Sequence, residues 1–128
     1  MPEPSIFTKI IKGEIPCHKV YEDNLTIAFL TIEPVQPGHT LVVSKKQIDH
    51  LWDLPDEDYQ ALMAATKKVA TRMRQIFGTK RIGLKVIGEE VPHAHIHLIP
   101  FNTLSEYDSR PVSAASEDLA EMAKKLAI

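Results

Sequence analysis

Pro92-His93-Ala94-His95-Ile96-His97-Leu98-Ile99-Pro100 sets three histidines at alternate positions in a short apolar run closed by a proline at each end. A period of two belongs to a β-strand, in which residues i, i+2 and i+4 share a face. His93, His95 and His97 therefore line one face, while Ala94, Ile96 and Leu98 turn the other way into a core. Imidazoles titrate near neutrality. Three on one face make a site for protons, phosphates or a metal.

This strand is expected over 94–99, and upstream of it residues 81–87 read as a second strand. Before it, Leu62, Thr66, Val69, Met73 and Ile76 recur at three- and four-residue steps between Pro55 and Phe77. Asp56, Glu57 and Asp58 crowd the start of that stretch, where the positive end of a helix dipole favours them, and Gly78 follows its end. This is a long helix. Residues 18–22 and 25–32 read as a hairpin turned by Asp23-Asn24, residues 34–38 as a loop, and residues 40–44 as a short apolar strand. At the start, Ser5 caps a short helix whose apolar side is Ile6, Phe7, Ile10 and Ile11, with Gly13 at the exit. Residues 102–113 are polar and irregular, and Ser116, Leu119, Met122 and Leu126 mark a closing helix. The order helix, three strands, helix, two strands predicts an α+β domain on a five-stranded antiparallel sheet, with one long helix, a short N-terminal helix and a C-terminal helix.

At 128 residues the chain is expected to be one domain, 1–128, with a single core. Its net charge of −2 carries no basic excess, so duplex nucleic acid is not an expected partner. Cys17 is the only cysteine, which rules out an internal disulfide and a thiolate zinc knuckle and favours a reducing, cytoplasmic setting. The start, Met-Pro-Glu-Pro-Ser, has neither the basic residues nor the apolar run of an export signal. No run of about 18 apolar residues occurs, so a membrane span is not expected either.

Two chemistries fit the imidazole row. In the first, a neutral histidine nitrogen attacks phosphorus and forms a phosphoramidate that water later cleaves, splitting one hard displacement into two. His95, with an imidazole on each side, is the geometric choice for nucleophile; His97 is assigned to the leaving group and phosphate, and His93 to positioning. In the second, the histidines hold zinc with an open position for water, with Glu89, Glu90 and His39 as further candidates. Strand spacing sets i, i+2 imidazoles roughly five to seven ångströms apart, so this reading needs curvature or a ligand from elsewhere.

Pro-Gly-His-Thr-Leu-Val-Val at 37–43, followed by His-Ala-His-Ile-His-Leu-Ile at 93–99, resembles the histidine triad (HIT) proteins. Ile6-Phe7-Thr8-Lys9-Ile10-Ile11, Gly13-Glu14-Ile15-Pro16, Val20-Tyr21-Glu22-Asp23 and Ala28-Phe29-Leu30 look like that family's opening segments in the same order. The resemblance covers roughly residues 5–101, leaving 102–128 as tail and helix. It implies a homodimer built through a continuous sheet, and a purine nucleotide or nucleotide conjugate as ligand. It also implies hydrolysis of phosphoramidates or dinucleoside polyphosphates through a nucleotidyl-histidine at His95, with no cofactor. The family's nucleotide pocket falls on Ile6, Phe7, Ile10, Phe29 and Ile32, and its fourth histidine on His39. His97 stands where the nucleotidyltransferase branch carries glutamine, which favours hydrolysis over transfer.

The chain also departs from that pattern. Thr31 stands where the family carries a ribose-binding aspartate, a change worth about 1.5–3 kcal/mol of nucleotide affinity. The loop before the triad is shortened to Ile87-Gly88-Glu89-Glu90-Val91-Pro92, in which Gly88 still offers backbone N–H to an anion, and Glu89 and Glu90 read as solvated charges. Ser5, Thr8 and Gln47 stand where zinc-holding bacterial relatives carry ligands, so no structural metal is expected. His18 and His50 read as surface residues. A nucleotide-binding or sensing protein with weak or no hydrolysis stands as the second reading, motivated by Thr31 and the short loop.

Overall fold

Ser5 ends the extended lead-in and caps α1 (Ile6–Ile11), its Oγ accepting the Thr8 N–H at 3.0 Å, and the computed structural model follows the chain from there as the sequence suggests. The structure describes residues 3–128, so the reading of the Met1-Pro2 start lies outside it. β1 (Lys19–Glu22) and β2 (Thr26–Leu30) form the first hairpin, with the Asp23 carboxylate accepting the N–H groups of Leu25 and Thr26 at 2.9 and 2.8 Å to hold the turn. β3 (Thr40–Ser44) follows the loop, and a single 3-10 turn at Leu51–Asp53 leads into α2 (Asp56–Phe77). Gly78 ends α2 in the left-handed region at φ 60°.

β4 (Arg81–Lys85) and β5 (His95–Phe101) complete an antiparallel sheet of order β1-β2-β3-β5-β4. Its two faces are covered differently. On one, α2 and the closing helix α4 (Ser116–Leu126) bring Leu62, Val69, Met73, Leu119 and Leu126 onto Val20, Ala28, Leu30, Val42, Ile96 and Leu98. On the other, α1 lays Phe7 against Ile27, Phe29, Leu41 and Val43, leaving the rest of that face to the histidines.

Three expectations are corrected. The triad strand begins at His95, so His93 lies in the lead-in and reaches its neighbours from a bend. Pro100 is not the strand's boundary but a member of it, opposite Ile82; pairing with β3 has ended at Leu98, so its missing N–H costs no bond there. The polar tail holds a one-turn helix, α3 (Leu104–Tyr107), capped by Thr103, with Gln36 Nε2 donating to the Glu106 carbonyl at 2.9 Å. Composition hid this turn because Thr103 and Gln36 hold it with polar contacts.

Candidate active site

Alternation along β5 puts His95 and His97 on the face opposite α2, while Ile96 and Leu98, 0% and 1% exposed, enter the core. Their imidazole centroids are 4.9 Å apart. The rest of the site is set by hydrogen bonds, and these fix where each proton resides.

His93 is fully buried. Its Nε2 lies 2.6 Å from the Ser44 carbonyl, which only accepts, so Nε2 carries the proton and Nδ1 accepts from Ser5 Oγ at 2.6 Å. The Thr8 hydroxyl and the Ser5 N–H both donate to Gln47 Oε1, at 2.6 and 2.8 Å, and brace that serine. His95 Nδ1 faces the His93 carbonyl at 2.7 Å. The same logic puts its proton on Nδ1 and leaves Nε2 with a free lone pair. His39 Nδ1 accepts the Val35 N–H at 3.0 Å, so His39 donates from Nε2 to His97 Nδ1, 3.0 Å away. His97 is left with its proton on Nε2. The site thus presents one nucleophilic nitrogen and, beside it, one N–H donor.

Burial pushes all four imidazoles below the usual histidine range. His39 falls to about 4, through burial and then the nearby Lys85 charge. His97 falls to about 3, through burial and then His95, His39 and Lys85. For His95 the downward push of burial is opposed by the His93 carbonyl and the Glu90 carboxylate. At neutral pH the row is therefore uncharged.

The Phe7 ring meets His95 edge-on at 4.8 Å and Phe29 at 5.7 Å, so of the two aromatic residues of the expected base pocket Phe7 packs on His95 and Phe29 packs behind Phe7. Ile10 packs against that cluster, whereas Ile6 and Ile32 are exposed at 49% and 66%. Thr31 is half-buried, and its Oγ1 accepts the Glu33 N–H at 3.2 Å. Gly88, at φ 81°, lines a groove of about 410 Å³ that runs from Trp52 and Ile87 to His95.

The histidines do not converge on a metal. Both nitrogens of His93 face protein partners and Nδ1 of His97 faces His39, and among the described residues no three His, Cys, Asp or Glu side chains form a metal-holding group. Ser5, Thr8 and Gln47 are drawn together about His93, yet they bring neutral oxygens already committed to hydrogen bonds, a donor set that does not suit zinc. Sequence reasoning missed one residue of this face. Lys85 stands directly opposite His97 across β4 and β5, a signal that becomes readable only once the register is known.

Comparison with known proteins agrees with this geometry. The chain is 41% identical over 105 residues to Protein hit of Bacillus subtilis, covering 77% of this chain and 71% of that protein. It is 40% identical over 96 residues to the adenosine 5'-monophosphoramidase HNT1 of Saccharomyces cerevisiae, covering 74% of this chain and 61% of the yeast protein. The crystal structure of a Hit-like protein from Bartonella henselae superposes with a TM-score of 0.87 at 34% identity, covering 98% of this chain and 96% of that one. The HIT domain family profile matches residues 12–104, and with the imidazole row and the five-stranded sheet in place, the chain belongs to the HIT family.

Proposed function

We propose that the chain is a nucleotide hydrolase that cleaves a nucleoside 5'-phosphoryl bond, in a phosphoramidate or a dinucleoside polyphosphate, through a nucleotidyl group held on His95. One observation carries this reading: the His95 Nδ1–His93 carbonyl bond leaves the lone pair of Nε2 unused beside the N–H of His97. In the first step Nε2 forms a bond to phosphorus as the bond to the leaving group breaks, and the leaving atom keeps the electron pair. The positive charge gained by His95 is spread into Nδ1–H and the His93 carbonyl. His97 Nε2 donates a hydrogen bond to the departing atom or the phosphate. An anhydride leaves as a phosphate anion, whereas an amine takes a proton from solvent. Water then attacks phosphorus, the electron pair returns to Nε2, and one proton is released.

His93 and His39 are positioning residues in this scheme, because each acts by fixing the proton of its neighbour. Ile6, Phe7, Ile10, Phe29 and Ile32 receive a purine base, Thr31 gives the ribose a single hydroxyl contact, and the Gly88 backbone meets phosphate. That a relative of 40% identity is named an adenosine 5'-monophosphoramidase supports this ligand class. Hydrolysis needs no cofactor in this scheme.

The chain is read as one domain that pairs as a homodimer through β4. That strand is an open edge with exposed Leu84, Val86 and Ile87 at or beyond its end, whereas the β1 edge is partly closed by the Ile128 N–H on the Val20 carbonyl at 2.9 Å. No helix among the described residues is long and apolar enough to cross a membrane, and a reducing, cytoplasmic setting suits the free, half-buried Cys17.

Incubation of wild type and His95→Ala with adenosine 5'-phosphoramidate and diadenosine tetraphosphate tests the reaction. Release of AMP by wild type alone, unaffected by chelator, is the expected result. The engagement of Thr31 Oγ1 with Glu33 favours a nucleotide-binding protein as the second reading. It predicts nucleotide affinity that survives His95→Ala with no turnover in either form.

A further inference from the structure

Lys85 stands on the histidine face, and the hydrolase scheme has no use for it. It ends β4 opposite His97, and residues opposite one another across an antiparallel pair project from the same face. Gly83, two residues earlier on that face, makes room for α3: a Cβ there would lie 2.4 Å from the Tyr107 ring. The ring settles on the strand against Phe101, 5.0 Å between centroids, and the Lys85 ammonium stands 5.3 Å from its centre. Side-chain ion pairs among the described residues join Lys19 and Lys45 to Glu22, Lys46 to Asp58 and Lys124 to Glu121. Within one protomer Lys85 has no such partner among the described residues. It is half-buried beside two imidazoles that carry no charge. A partly desolvated cation without a counterion is an anion site waiting for its ligand.

We propose that Lys85 recognises an anionic leaving group, so that the chain favours nucleotide anhydrides, whose departing oxygen belongs to a phosphate, over phosphoramidates of neutral amines. This rests on the nucleotidyl-histidine reading and adds the substrate class. The charge is placed at the departing end of the site. β4 stops at Lys85, opposite His97, so the strand offers no cation opposite His95, where the nearby charge is the carboxylate of Glu90. The chemistry agrees with that placement. When the phosphorus–oxygen bond of an anhydride breaks, the electron pair stays on the departing phosphate and no proton is required, so a fixed cation stabilises the charge as it develops. An amine needs a proton to leave, and His97 is a neutral donor whose other nitrogen is already occupied.

The readout is the ratio of kcat/KM for diadenosine tetraphosphate to that for adenosine 5'-phosphoramidate, in wild type, Lys85→Gln and Lys85→Arg. The ratio is expected to fall about 10- to 100-fold in Lys85→Gln and to recover most of its value in Lys85→Arg. An unchanged ratio, whether both rates fall together or neither falls, overturns the proposal. A second measurement follows the His97 ring resonances by NMR during titration with inorganic pyrophosphate. Wild type is expected to shift and saturate, with at least about tenfold weaker binding in Lys85→Gln; no response in wild type, or the same response in both, also overturns it. Failure of wild type to release AMP from either substrate would remove the hydrolase reading and with it the leaving-group role, and the pyrophosphate titration would then report separately whether Lys85 is an anion site.

Discussion

The two faces of β5 are one residue apart in sequence and governed by different physics. Ile96 and Leu98 face α2 and α4 and are held by packing alone, a non-directional interaction that asks only for apolar shape of the right volume. His95 and His97 face the other way and are held by hydrogen bonds that dictate which nitrogen carries a proton. Stability is concentrated on the helical face and the proposed chemistry on the imidazole face. The sheet lets both share one strand because alternate side chains never compete for the same space.

Substitutions at adjacent positions should therefore fail in different ways. The largest effect is expected for His95→Ala, which removes the proposed nucleophile and should lower turnover by about 10⁴-fold or more, measured as AMP release per folded molecule. Retained activity in that variant would break the assignment of chemistry to this face. Next is Ile96→Ala, one residue away on the helical face, with a loss of about 2–5 kcal/mol in unfolding free energy by urea titration. If it instead abolished turnover in protein that is still folded, the separation of the two faces would not hold.

Smaller but more specific is Ser5→Ala. It deletes both the cap of α1 and the hydrogen bond to His93 Nδ1. The cap contributes about 1 kcal/mol, and the unpaired buried nitrogen about 1–3 kcal/mol more. A urea midpoint equal to wild type would show that the Ser5–His93 bond does not brace the site. Ser5→Thr should recover part of the loss, since a hydroxyl is restored.

The last effect is a pH dependence. His39 and His97 are pushed down to about 4 and about 3, whereas in the unfolded chain they titrate near 6.5. Between those limits the unfolded chain binds protons that the folded one does not, so stability is full above pH 6.5 and declines as the pH falls through that window. Urea midpoints measured from pH 7.5 to 4 should drop on the acid side, and His39→Leu should flatten the slope. A midpoint independent of pH there would mean that these imidazoles are not kept neutral by the fold.

Much of this was readable in the residues. The 22-residue α2 declares itself through its apolar spacing, its acidic first turn and Gly78. Ser5 is legible as a cap, and Ile96 and Leu98 as core, because each depends on neighbours within a few residues. His93 was misplaced by the same pattern that found it: its alternation continues one step beyond the strand's pairing, and the lead-in bends there. α3 went unread because a single turn has too few residues to show a period. Lys85 escaped because its meaning depends on which residue lies across the sheet.

By itself the sequence determined what is local: the alternation that makes β5 a strand with a reactive face, the long helix that covers its other face, and the histidines competent to attack phosphorus. Only the tertiary structure decided where the protons of the row reside. The His95 proton is fixed by the carbonyl of His93, two residues away, but the partners that fix those of His93 and His97 lie far along the chain, Ser5 at 88 residues from His93, Ser44 at 49, and His39 at 58 from His97. A tautomer follows from the partner of the other ring nitrogen, and periodicity carries no information about contacts at that range.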